Sequence, residues 1–175
     1  LVQAGIAVYS PHTAFDSARG GINQRLAQGL GMKDIVPLAP LAGDVEALGA
    51  GRRGRLPNPL SVGDFAASIK TFLKIDGLHV VGSLDSQVTF PAVACGSAGS
   101  FLSHAAAAGC DALVTGETSF HTCLEAEASG IALLLPGHFS SERFAVVELA
   151  EVLAGQFEEV EIWASQREKD PLMWV

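Results

Sequence analysis

From Val93 onward, short runs that are apolar at every position alternate with stretches whose apolar residues fall at helical spacing, and glycine closes each unit. The run ending at Ala94 leads through Gly96-Ser97-Ala98-Gly99-Ser100 into a helical pattern to Ala108, then Gly109. Ala112 to Thr115 leads through Gly116 into Phe120 to Ala128, then Gly130. Ile131 to Leu135 leads through Pro136-Gly137 into Ser140 to Leu153, then Gly155, and Val160 to Trp163 reads as a last strand. Continuous apolar runs belong to strands covered on both faces. The pattern therefore predicts an α/β fold with a mainly parallel sheet flanked by helices.

The first half is less regular. Gly5 to Tyr9 reads as a buried strand, and Ile22, Leu26 and Leu30 mark a helix that Gly31 ends. Ile35 to Leu38 is a short strand at best, because Pro37 cannot donate to a ladder. Ala39 to Leu60, rich in Gly, Pro and Ala, reads as an irregular excursion. Ser61 and Asp64 form a capping-box pattern that opens a helix with Phe65, Ile69, Phe72 and Leu73 on its apolar side. Leu78 to Val81 and Val88 to Ala94 read as strands, the second interrupted by Pro91, which points to an edge or a bulge.

The 175 residues are the length of one domain, and 49% apolar against 17% charged residues leaves ample material for a core. Eleven basic against 19 acidic residues give a net charge of -8, which speaks against a nucleic-acid surface and suits a divalent cation. The densest basic stretch, Gly51-Arg52-Arg53-Gly54-Arg55, reads as a solvated loop or an anion contact. Cys95, Cys110 and Cys123 form no Cys-x-x-Cys and no even set, so the expectation is free thiols in a reducing cytoplasm. No apolar run reaches the roughly 20 residues of a membrane span.

Candidate chemistry gathers where strands are expected to hand over to helices. His138 and Glu142, four apart after Pro136-Gly137, can offer a nitrogen and an oxygen to one cation, and His12 and Asp16 repeat the spacing near the front of the chain. A mixed set of this kind suits zinc, manganese or iron. The alternative is structural: a turn histidine, a carboxylate in a first helical turn, and a turn aspartate. Glu117 and His121 are a third pair, able to move protons or merely to open a helix. Gly96 to Ser100 meets neither nucleotide-binding glycine fingerprint.

Taken together, Val8-Tyr9-Ser10-Pro11-His12-Thr13-Ala14-Phe15-Asp16, Gly20-Gly21-Ile22-Asn23, Val93 to Gly99, Ala108 to Ala112, Thr115-Gly116-Glu117, Gly137-His138-Phe139-Ser140-Ser141-Glu142 and Ser165 to Leu172 resemble the Nif-three-like family, whose members are often labelled GTP cyclohydrolase type-two homologues. The resemblance implies two similar interlinked α/β lobes with a cleft between them. It further implies one or two metal ions there, and assembly into a homo-oligomeric ring, commonly a hexamer. It assigns metal binding to Asp16, His138 and Glu142, places His12 beside them, and puts Glu117 and His121 on the bordering segment. The family's upstream His-His-Pro segment has no counterpart. The expectation is thus a single domain over 1–175 without its N-terminal portion. In functional terms this means a metal-dependent hydrolase acting on a nucleotide or phosphoester, or a non-catalytic, metal-carrying or partner-binding scaffold.

Overall fold

The computed structural model describes residues 1–43 and 48–173. Among the described residues eight strands and six α-helices follow one another. α1 (Thr13–Ser17) and α2 (Ile22–Gly29) come first, then β1 (Lys33–Pro40), β2 (Gly49–Arg55) and β3 (Leu60–Ser61). Next are α3 (Val62–Leu73), β4 (His79–Val81), β5 (Gln87–Val88), β6 (Pro91–Ala94), α4 (Leu102–Ala107), β7 (Ala112–Thr115), α5 (Phe120–Ser129), β8 (Ala132–Leu135) and α6 (His138–Gln156). The main sheet runs β1-β2-β6-β7-β8-β4, and β3 with β5 forms a separate ribbon. β6, β7 and β8 are parallel, while β1 on β2, β2 on β6 and β4 on β8 are antiparallel. The parallel region predicted from the second half is thus the centre of a mixed sheet.

Side chains alternate across that centre. Val93, Ala112, Val114, Ala132 and Leu134 point to one face, where Leu26 of α2, Phe65 and Ile69 of α3 and Phe144 of α6 pack on them. Ala92, Ala94, Leu113 and Leu133 point to the other, under Leu102 and Ala105 of α4 and Ala126 of α5. Covering both faces is what lets every position of these strands be apolar. The Ser61 hydroxyl accepts from the Asp64 amide at 3.0 Å and bonds the Asp64 carboxylate at 2.7 Å, so the expected capping box opens α3.

Several expectations are corrected. Residues 5–9 form no strand; Ile6, Val8 and Tyr9 lie exposed, because an apolar run becomes a strand only where a neighbouring strand pairs with it, and none of the described strands does so here. Val160 to Trp163 is exposed coil for the same reason. The supposed excursion from Ala39 to Leu60 contains β2, with residues 44–47 outside the described residues. Its glycines mark close approach: a Cβ on Gly49 would lie 2.4 Å from the Ala39 carbonyl oxygen, and one on Gly54 2.5 Å from that of Lys33. The basic stretch is therefore strand and not loop. Arg52 is 1% exposed, and Arg53 and Arg55 stack on the Phe90 ring at 5.5 and 5.1 Å. β1 is longer than predicted and tolerates Pro37 because it is an edge strand paired only with β2. Pro91 sits in the middle of the sheet, permitted there as the first residue of β6, with β5 separate from it.

Candidate functional site at the ends of the parallel strands

β6, β7 and β8 end side by side, and their exits form one floor. The carbonyl of Gly96 accepts from the Thr115 hydroxyl at 3.1 Å and from the Glu117 amide at 3.2 Å; the Gly137 amide donates to the Gly116 carbonyl at 2.9 Å. The buried Ser141 hydroxyl ties α6 down, accepting from the Gly96 amide at 3.0 Å and donating to the His138 carbonyl at 2.9 Å. Two glycines make this approach possible. A Cβ on Gly96, whose φ is +70°, would lie 2.3 Å from a Glu142 carboxylate oxygen and 3.3 Å from His138 Nε2. One on Gly116 would lie 2.8 Å from the Gly96 carbonyl oxygen and 2.9 Å from His138 Cα.

On this floor α6 begins at His138, two residues before the expected start, after Gly137 with φ +99°. The imidazole stands between two carboxylates: Nδ1 is 3.0 Å from Glu117 Oε1 and Nε2 is 3.3 Å from Glu142 Oε1. Both flanking pairs are about half exposed. The hydrogen bond to Glu117 raises the His138 pKa, burial opposes this, and Glu142 adds to the rise. In metal-free protein, His138 is expected to titrate above 6.5, and Glu117→Gln to bring it down. Folded-state pKa above unfolded means that the stabilisation is fully present below the unfolded value and lost as pH rises through the folded one. The measurement is a side-chain NMR titration; an ordinary value in the parent and no shift in Glu117→Gln would contradict the contact.

Asp16 arrives from the other half of the chain. His12, immediately before α1, has φ +36°, a conformation rare for a side-chain-bearing residue, and is exposed; its charge lowers the Asp16 pKa, which burial, the larger influence, raises. Two buried polar residues fix α1 in place. Asn23 Nδ2 donates to the Asp16 carbonyl at 3.1 Å while its Oδ1 accepts from the Cys95 amide at 2.8 Å, so Asn23 bridges α1 to the end of β6. Arg52 donates to the Ala18 carbonyl at 2.7 Å, to Gly49 and Gly51 carbonyls at 2.6 and 2.7 Å, and to Gln24 Oε1 at 2.9 Å. The Cys95 thiol is pushed well above its ordinary range by burial, then by the charges of Glu142 and Asp16. All three cysteines are free.

The structure thus gathers His138, Glu142 and Glu117 tightly, with Asp16 bordering the same strand end. Among the described residues, no three His, Cys, Asp or Glu side chains are grouped closely enough to hold an ion by themselves. His121 stands exposed in the first turn of α5 with its ring near Phe120, 6.3 Å between centroids. Sequence reasoning gave no role to Ser141, Thr115 or Asn23 and read Arg52 as part of a solvated loop or anion contact; their bonds are mostly to backbone and leave no periodic trace. It did mark Gly116 as punctuation after a strand.

Three parallel strand ends, a glycine floor and an imidazole between carboxylates define an α/β protein with a polar site of nitrogen and oxygen donors. The chain belongs to the Duf34/NIF3 (NGG1p interacting factor 3) family, whose model matches residues 1–171. It is 30% identical over 176 residues to the GTP cyclohydrolase 1 type 2 homolog of Clostridium perfringens, covering 100% of this chain and 67% of that protein. It is 33% identical over 184 residues to the protein NIF3 homolog of Schizosaccharomyces pombe, covering 98% and 65%. The crystal structure of a Bacillus cereus protein related to NIF3 superimposes with a TM-score of 0.92 at 22% identity, over 99% of this chain and 75% of that one, which speaks to the fold. The chain spans 38% to 67% of the length of the curated relatives it matches here. Among the described residues no helix is long and apolar enough to cross a membrane.

Proposed function

We propose that this chain binds a divalent ion, zinc, manganese or iron, through His138 and Glu142 with Asp16 as a further donor. The observation that carries this reading is the imidazole held between two carboxylates above Gly96 and Gly116. For Nε2 to offer its lone pair, Nδ1 must carry the proton, and Glu117 on Nδ1 holds that tautomer. Glu117 is then an orienting carboxylate, a more specific role than the proton carrier expected from its position. Burial holds the half-buried Asp16 carboxyl above its ordinary value, His12 opposing it, and an ion beside it would bring it down. His138 and Glu142 alone make a two-donor edge, so a tight site needs Asp16 to close on it and further donors of the kind the family's upstream segment supplies. A bound ion would polarise an oxygen or acidify a water, the chemistry of a hydrolase acting on a nucleotide or phosphoester.

Calorimetry with each metal, paired with elemental analysis of the protein as purified, tests the metal site. Glu142→Gln and His138→Ala are expected to lose binding, and Glu117→Gln to weaken it about 10–100-fold while remaining folded. Unchanged affinity in Glu142→Gln would end the proposal. A second reading, a ring-forming or partner-docking scaffold without turnover, is favoured by one observation: Val152, Leu153, Phe157, Val160 and Trp163 expose apolar surface on the last turns of α6 and beyond.

A further inference from the structure

Two clefts meet at Arg143. One, of about 560 Å³, contains Glu117, His138 and Glu142. The other, of about 790 Å³, lies between the end of α3 and α6 and is walled by Phe72, Phe139, Phe144 and Val147, with Lys74 at its margin. Arg143 lines both. Its own pairing is incomplete. Nη2 donates to the Ser165 carbonyl and lies 3.8 Å from a Glu168 carboxylate oxygen, whereas Nη1 is enclosed and has no acceptor among the described residues. An enclosed guanidinium N–H without an acceptor is unfavourable, and Glu168, half exposed and at arm's length from one nitrogen, does not relieve it. A guanidinium fork is matched by a carboxylate that meets both of its nitrogens.

We propose that the aromatic cleft binds a planar aromatic carboxylate. The ring lies against Phe72, Phe144 and Val147; the carboxylate takes Nη2 of Arg143 in place of Glu168 and reaches the enclosed Nη1 as the Ser165 to Glu168 segment moves off it. Glu168 is then a loose internal stand-in for the ligand's anion, and the exposed chain from Ser165 to Glu168 yields when the ligand arrives. The acids around the cleft do not oppose this equally. Glu148 is engaged by Arg25 at 2.6 Å and Asp170 accepts from the Leu172 amide at 2.9 Å; Lys74 and Arg143 line the same cleft as Asp76. The site needs no metal, so its failure and that of the metal reading are separable.

The test is titration of the metal-free chain with 1-naphthoate, followed by calorimetry and by amide NMR. Saturable binding is expected, with shifts at Phe72, Phe144 and Val147. Glu168→Gln, which removes the stand-in and keeps the guanidinium, is expected to bind several-fold tighter, while Arg143→Gln binds at least about tenfold weaker. 1-Naphthol, which lacks the carboxylate, is expected to bind at least about tenfold weaker than 1-naphthoate. Absence of binding to both the parent and Glu168→Gln at about 10 mM overturns the proposal. So do weaker binding by Glu168→Gln, parent-like binding by Arg143→Gln, or shifts confined to the apolar surface from Val152 to Trp163.

Discussion

Gly116→Ala is expected to destabilise the protein by about 2–4 kcal/mol and to displace the start of α6, dissolving the Glu117–His138 contact. The added methyl meets the Ser141 hydroxyl at 2.7 Å and, with it, backbone that no rotamer change relieves: the Gly96 carbonyl oxygen at 2.8 Å and His138 Cα at 2.9 Å. Relief requires α6 to move off the floor, which breaks the Gly137-to-Gly116 hydrogen bond and the Ser141 bridge to Gly96. Gly155 is the contrast. A Cβ there meets nothing within 4 Å, so Gly155→Ala in the exposed end of α6 is expected to be neutral or slightly stabilising through helix propensity. Denaturant midpoints of the two variants, with the His138 NMR titration as the local readout, separate floor from propensity. A Gly116→Ala protein of parent stability with an unshifted His138 would mean that the floor has room for a methyl group and does not hold α6 in place.

The same contrast explains what could be read from the chain. The second half was legible because β6, β7 and β8 are covered on both faces, so their apolar runs are uninterrupted and their glycine punctuation falls at real exits. β7 spans the predicted Ala112 to Thr115. The two histidine–carboxylate pairs were visible as spacing, but the partnership of His138 with Glu117, 21 residues away, depends on β7 and β8 being neighbours in register. β2 was missed because its glycines serve close strand approach, which composition cannot distinguish from a loop. Apolar segments such as Gly5 to Tyr9 carry a strand signal that only a pairing partner can realise.

Arg52→Met carries the second large expected effect, a loss of about 3–5 kcal/mol with the early helix loosened ahead of the rest. The methionine preserves most of the volume, so the change isolates the guanidinium. Burial works against that charge, lowering the Arg52 pKa, and the carbonyls of Ala18, Gly49 and Gly51 with the Gln24 amide oxygen, and more distantly the Ser17 carbonyl, offset the cost. Removing the donor strands those acceptors in the interior, and Arg52→Lys is a poor rescue because an ammonium cannot reach four separated oxygens as a planar fork does. The functional consequence follows from position. Ala18 caps the end of α1, and α1 carries Asp16, whose carbonyl is tied to the end of β6 through Asn23. Hydrogen exchange over residues 13–18 is therefore expected to rise further in Arg52→Met than exchange in β7 and β8, and any metal affinity that depends on Asp16 is expected to fall with it. A drop in midpoint spread evenly over all segments would make Arg52 a general core residue and detach it from the site; no drop at all would show that the buried charge contributes nothing its absence cannot supply.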